Sequence, residues 1–190
     1  MRIVSGSAKG KKLVGFRGDA IRPTSDRVRE AIFSTLFSQL GALGEVEVLD
    51  LYAGTGAMAI EALSRGAKSA TLVDQSREAQ KIIGKNLAST ELADSATFMS
   101  GRVLDIIPRL GARQAQFDLI FVDPPYSDPH IEDVLLSVND FGLLRSGGIM
   151  CFETADRVHL PEHIGTLACT ARRKYGSTAI CYYRHKETDA

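Results

Sequence analysis

Val46-Glu47-Val48-Leu49-Asp50-Leu51-Tyr52-Ala53-Gly54-Thr55-Gly56 decides the fold. An apolar strand pattern runs from Val46 to Leu51 and stops at a glycine-punctuated turn, and a helical pattern then runs from Thr55 to Arg65 and stops at Gly66. Gly54 and Gly56 allow a tight turn and close backbone approach to a ligand. The same alternation continues outward. Ser69 to Val73 reads as a strand with Asp74 at its end, Arg77 to Ser89 as a helix, and Ala96 to Met99 as a short strand. A helix over Val103 to Leu110 tolerates Pro108; Phe117 to Val122 is a strand and Ile131 to Val138 a helix. Ile149 to Glu153 is a strand after a turn at Ser146-Gly147-Gly148. Two last strands, about Thr166 to Arg173 and Thr178 to Arg184, suit an antiparallel hairpin. Strand–helix alternation implies an α/β fold, a mostly parallel sheet with helices on both faces. Asp50, Asp74 and Asp123 all fall at carboxyl ends of strands, where such sheets bind ligands.

Before this core comes a different kind of segment. Ile3-Val4-Ser5 and Lys12 to Phe16 form a small hairpin pattern around Gly6 and Gly10. A helix follows over about residues 25 to 40, with Thr24 or Ser25 as N-cap. Val28, Ile32, Leu36 and Leu40 make its apolar stripe, widened by Phe33 and Phe37; Arg27, Arg29 and Glu30 fall on the polar side.

Composition sets the limits. At 190 residues the chain fits one domain, 1–190, with 1–40 as an amino-terminal extension. No stretch is long and apolar enough to span a bilayer, and Met1 to Gly6 lacks a signal peptide's apolar core, so a cytoplasmic protein is expected. Cys151, Cys169 and Cys181 show no paired metal spacing and read as reduced, buried side chains. His159 and His163 are four apart with Pro161 between and no third ligand, so no metal is expected. The net charge of zero hides an asymmetry: residues 1–30 hold eight basic side chains against three acidic ones. Sign asymmetry of that kind marks a polyanion-facing end. Lys9, Lys11, Lys12, Arg22, Arg27 and Arg29 are the candidate phosphate contacts.

The turn at Gly54 and Gly56, with Ala59, also satisfies the G-x-G-x-x-A dinucleotide pattern, so glycines alone do not choose a cofactor. Asp50 discriminates, because a carboxylate ahead of the glycines repels a pyrophosphate and suits a cationic amino acid. S-adenosylmethionine, with an ammonium, a sulfonium and no phosphate, fits; Asp74 can accept from ribose hydroxyls. A second motif, Asp123-Pro124-Pro125-Tyr126, ends the Phe117–Val122 strand. Proline has a nearly fixed φ and no N–H, so the corner is stiff and rich in acceptors. Tyr126 adds a stacking face. Two acceptors beside a flat ring suit the exocyclic amine of a nucleobase, with His130 close enough in sequence to touch it.

Asp50-Leu51-Tyr52-Ala53-Gly54-Thr55-Gly56 resembles the first motif of class I S-adenosylmethionine-dependent methyltransferases, and Asp123-Pro124-Pro125-Tyr126 the fourth motif of their amino-methylating branch. With Arg22-Pro23-Thr24-Ser25-Asp26-Arg27-Val28-Arg29-Glu30 and Glu61-Ala62-Leu63-Ser64-Arg65-Gly66-Ala67, the chain resembles the bacterial 16S ribosomal RNA guanine-N2 methyltransferase family from Arg2 to Arg184. The resemblance implies a Rossmann-like, seven-stranded sheet whose last strand is reversed. It implies that Asp50, Gly54 and Gly56 hold the methionyl end and Asp74 the ribose, with Tyr52, Ala53, Thr55 and Gln75 as further cofactor contacts. Where the family commonly has an Asp or Asn that accepts from the adenine amine, this chain has Ser100-Gly101-Arg102-Val103; Arg102 cannot accept a hydrogen bond, which leaves the backbone around Val103. Asp123, Pro124, Pro125 and Tyr126 would carry catalysis, and the partner would be ribosomal RNA, in a small-subunit particle. The residues alone leave open an adenine-N6 methyltransferase, a nicotinamide oxidoreductase and a non-catalytic RNA-binding module.

Overall fold

The computed structural model describes residues 1–16, 26–125 and 128–186. Eight strands form one sheet in the order β3-β2-β1-β4-β5-β8-β7-β6. Strands β1 (Glu47–Leu51), β2 (Ser69–Asp74), β3 (Ala96–Ser100), β4 (Phe117–Val122) and β5 (Leu144–Ala155) run parallel. Strand β8 (Thr178–His185) is antiparallel to β5 and to β7 (Leu167–Tyr175). A two-residue strand, β6 (His163–Ile164), adds an antiparallel edge, so the sheet has eight strands rather than the expected seven. The reversed last strand is as expected.

Residues alternate between two cores, as the pleat requires. Val48, Leu72, Leu119, Phe121, Cys151, Ile180 and Tyr182 face one side, beneath helices α1 (Asp26–Leu40), α2 (Ala57–Ser64) and α3 (Arg77–Thr90). Leu49, Leu51, Val73, Ile120, Val122, Phe152 and Tyr183 face the other, beneath α4 (Val103–Ala112) and α5 (Ile131–Asp140). Helix α4 continues through Pro108. All three cysteines are free thiols, with Cys151 and Cys181 buried.

Two local expectations are corrected. Ser146-Gly147-Gly148 does not form a turn before β5; it lies inside the strand as a bulge. The β4 pairing steps from Phe117↔Leu144 to Leu119↔Ile149 across it. Gly147 has φ +80°, and a Cβ on Gly148 would lie 2.8 Å from the carbonyl oxygens of Arg145 and Asp118, so glycine is what permits the close approach. Arg145 holds the bulge by pairing with Asp118 at 2.6 Å and Glu47 at 3.0 Å.

In α1 the buried face is Arg29, Ile32, Phe33 and Leu36, while Phe37 is 63% exposed. The N-cap candidates Thr24 and Ser25 lie outside the described residues. Arg29, expected on the polar side as a phosphate contact, has no solvent exposure. Its guanidinium pairs with Asp26 at 2.8 Å and Glu61 at 3.4 Å, and donates to the carbonyl of Arg2. Glu61, itself fully buried, accepts from Val4 N at 2.8 Å, Ser5 N at 3.0 Å and Arg65 Nε at 2.8 Å. Ser64 Oγ accepts from Ala8 N and donates to the carbonyl of Ser5. The Glu61–Arg65 stretch, at the end of α2, is therefore the dock on which the amino-terminal hairpin sits. That hairpin is closed by Ile3 N on Lys11 O at 3.0 Å and Gly10 N on Ile3 O at 2.9 Å. Ile3, Ala8 and Leu13 extend the first core into it.

Candidate active site

Strand β1 lies between β2 and β4, where the strand order reverses, and the crevice at this switch point is where such sheets place ligands. The chain leaves β1 through positive φ at Tyr52 (63°), Gly54 (54°) and Gly56 (77°). Gly56 is forced by packing as well as by φ: a Cβ there would meet Leu72 Cδ2 at 3.1 Å and Ile60 Cδ1 and Ile83 Cγ1 at 3.3 Å. Three bonds fix the turn: Ala53 N to Val73 O at 3.0 Å, Gly56 N to Ala53 O at 2.7 Å, and Gly54 N to Asp74 Oδ2 at 2.9 Å. The other oxygen of Asp74 accepts from Ser76 N at 2.8 Å. Thr55 and Asp74 are half-buried, Ala53 is buried, and Gln75 is exposed.

Helix α2 starts at Gly56, which has no side chain to cap it. The carboxylate of Asp50 reaches across instead and accepts from Ala59 N at 3.1 Å, satisfying one of the orphan amides of the first turn. Asp50 is 3% exposed. Burial pushes its pKa up to about 7, opposed by the Ala59 hydrogen bond and assisted by the charge of Asp74.

Beyond β4, Asp123 N continues the pairing to Leu51 O at 3.4 Å. Pro124 is buried, while Asp123 and Pro125 are open to solvent. The register Val122↔Phe152 brings Asp123 level with Glu153 on the neighbouring strand. Asp123 titrates well above the usual carboxylate range: desolvation among the strand ends is the largest cause, followed by the charges of Glu153 and Asp50. Solvent reaches Asp123 directly, which tempers the desolvation and leaves repulsion among these carboxylates as the firmer cause.

The corner is braced. Asp128 N donates to Pro125 O at 2.8 Å, and the Asp128 carboxylate accepts from Tyr52 OH and His130 N, each at 2.9 Å. Burial and then Asp128 raise the Tyr52 pKa, which keeps the phenol a donor. His130 is exposed and turns its Nδ1 to Asp133 at 2.9 Å. Tyr126 and Arg22 lie outside the described residues. Arg102 is exposed at the N-cap of α4 and makes no side-chain cap, and Val103 is buried behind it. On the hairpin, Lys9 and Lys12 are exposed and Lys11 pairs with Glu91 at 2.7 Å; Arg27 is exposed on α1.

The structure thus places Asp50, the Gly54–Gly56 turn, Asp74, Asp123 and Pro124 at the carboxyl ends of the adjacent strands β2, β1 and β4. Sequence reasoning missed Asp128 and Glu153. Both carried a local signal, an acid just beyond a strand-ending motif and an acid at a strand's carboxyl end. Asp50, Asp123 and Glu153 suit a cationic ligand, and a pyrophosphate would meet their repulsion. Among the described residues no group of three or more His, Cys, Asp or Glu is arranged to hold a metal ion, and no helix is long and apolar enough to cross a membrane.

The putative ribosomal RNA methyltransferase YlbH of Bacillus subtilis is 34% identical over 98% of this chain and 100% of its own length. Ribosomal RNA small subunit methyltransferase D of Escherichia coli K12 is 30% identical over 100% of this chain and 94% of its own. A hypothetical protein from Thermus thermophilus, 28% identical, superposes with a TM-score of 0.84 over 97% of this chain and 99% of that one. A family model described as conserved hypothetical protein 95 matches residues 1–184, and with these relatives at full length the chain belongs to that family.

Proposed function

We propose that the protein transfers a methyl group from S-adenosylmethionine to the exocyclic N2 amine of a guanine in small-subunit ribosomal RNA. The observation that carries this reading is the pairing, across adjacent strands β1 and β4, of a turn suited to a cationic cofactor with an acceptor-rich corner open to solvent. The name of the Escherichia coli relative supports ribosomal RNA as the substrate.

S-adenosylmethionine supplies a methyl carbon made electrophilic by its sulfonium. Asp50 and the Gly54–Gly56 turn hold the methionyl end, Asp74 takes the ribose, and the backbone at Arg102 and Val103 borders the adenine. A guanine amine is a poor nucleophile because its lone pair is delocalised into the ring. The Asp123 carboxylate and the Pro124 carbonyl accept from its two N–H groups and aim the nitrogen from about 3–3.5 Å. As positive charge develops on that nitrogen, preorganised acceptors stabilise it. As the N–C bond would form, the methyl–sulfur bond would break and S-adenosylhomocysteine would leave as a neutral thioether; the raised pKa of Asp123 suits it to take the proton that the amine then gives up. Tyr126 is the stacking face for a base removed from its own stack. Lys9, Lys12 and Arg27 position the RNA through phosphates, which supply affinity rather than base identity. The expected setting is the cytoplasm, on RNA within a small-subunit particle.

The test is methyl transfer from labelled donor to total RNA, free and in ribosomal particles, followed by nucleoside analysis. The reading requires N2-methylguanosine in small-subunit RNA. N6-methyladenosine would instead identify the alternative, an adenine-N6 methyltransferase, which the same corner could serve.

A further inference from the structure

Asn86 lies in α3 with no solvent exposure, and every polar atom of its side chain is engaged. Its Oδ1 accepts from Val14 N at 2.7 Å, and its Nδ2 donates to Val14 O at 3.0 Å and to Thr55 O at 2.9 Å. The first two bonds clamp Val14 as a neighbouring strand would. The third fixes the carbonyl between Gly54 and Gly56. An aspartate of the same shape would keep the acceptor and lose both donors, so this site requires the amide. Two residues beyond Val14, Phe16 is half-buried against the same turn: a Cβ built on Gly54 would lie 3.7 Å from its Cε2. The segment 14–16 therefore runs along the turn, tied to it by one side chain and resting on it with another.

We infer that residues 14–16 are a wall of the cofactor pocket, that Phe16 touches the cofactor, and that Asn86 is the positioning residue joining the amino-terminal segment to the Gly54–Gly56 turn. Seating of the segment and occupancy of the pocket are then coupled, and the coupling is reciprocal. Lys9, Lys11 and Lys12 lie just before this wall in sequence. This inference rests on the turn being the S-adenosylmethionine site and is independent of which nucleobase is methylated.

Binding of S-adenosylhomocysteine is measured by calorimetry for the wild type, Phe16→Ala and Asn86→Asp. Amide hydrogen exchange of Val14 to Phe16 is followed with and without that ligand. Phe16→Ala removes a half-exposed ring and is expected to leave the melting temperature in place while weakening binding about five-fold or more. Asn86→Asp is expected to weaken it by at least as much, and Asn86→Gln to recover part of the loss. The ligand should slow exchange at Val14 in the wild type and do so less in Phe16→Ala. Wild-type affinity in Phe16→Ala together with ligand-independent exchange at Val14 would overturn the inference, even if Asn86→Asp fails to fold. Absence of binding to the wild type would overturn the cofactor site itself, a distinct failure.

Discussion

Asp50 accepts a hydrogen bond from the backbone amide of Ala59 at 3.1 Å, so one buried carboxylate at the end of β1 caps α2; in the proposed function it also meets the cofactor's cationic end. Its pKa of about 7 ties binding to pH. A cationic ligand favours the ionised form, so the affinity for S-adenosylhomocysteine, which keeps the ammonium, should rise by about ten-fold or more from pH 5 to pH 7. For stability without ligand the sign is opposite. The folded pKa is raised, so the contribution of neutral Asp50 is complete below pH about 4, the unfolded value, and is lost as pH rises through about 7. Asn in place of Asp50 should weaken binding at pH 7 and flatten the profile between pH 5 and 7. Calorimetry over that range reads both.

The second expectation concerns the dock of the amino-terminal hairpin. Glu61 and Arg29 are both fully buried and 3.4 Å apart. Removing one partner of a buried pair leaves an uncompensated charge and costs about 3–5 kcal/mol. Glu61→Ala also orphans the amides of Val4 and Ser5. A large fall in the denaturation midpoint is expected. A loss below about 1 kcal/mol, the range of exposed pairs, would mean that the pair is not buried in solution.

Gly56→Ala tests the turn. A left-handed φ costs a residue with a Cβ about 1–2 kcal/mol, and here that Cβ would also press on Leu72, Ile60 and Ile83. Chemical denaturation should show at least that loss, with weaker cofactor binding. Gly10 offers a control: its φ is +84° but nothing lies within 4 Å of a built Cβ, so Ala there should carry only the backbone cost.

A fourth prediction concerns the exposed lysines. If Lys9 and Lys12 contact phosphates, RNA affinity should fall steeply with salt, and each substitution by Ala should lower the log–log slope by about 0.7–0.9. Filter binding across a salt series measures this. Arg29, buried in its ion pairs, should contribute nothing to that slope.

Legibility in the sequence followed the range over which each feature is encoded. The alternation of strands and helices, the Gly54–Gly56 turn and the acids at strand ends are local patterns, and each fell where the pattern put it. Arg29 was misplaced because helical periodicity says which face a residue occupies, not what awaits it; only Glu61, on another helix, makes that face habitable for a guanidinium. Asn86 was missed for the same reason, since its partners Val14 and Thr55 are 72 and 31 residues away. The glycines of β5 were read as a turn because Gly-Gly commonly ends a strand, whereas Arg145, held by Asp118 and Glu47, folds them into a bulge.

The most direct measurement compares wild type with Asp123→Ala in one assay: methyl transfer to small-subunit ribosomal RNA, with the product nucleoside identified and the affinity for S-adenosylhomocysteine measured alongside. The account predicts N2-methylguanosine from the wild type, and from the variant a rate lower by at least about a hundred-fold, with cofactor affinity retained. Transfer by Asp123→Ala at near the wild-type rate, or a wild-type product other than N2-methylguanosine, would contradict it.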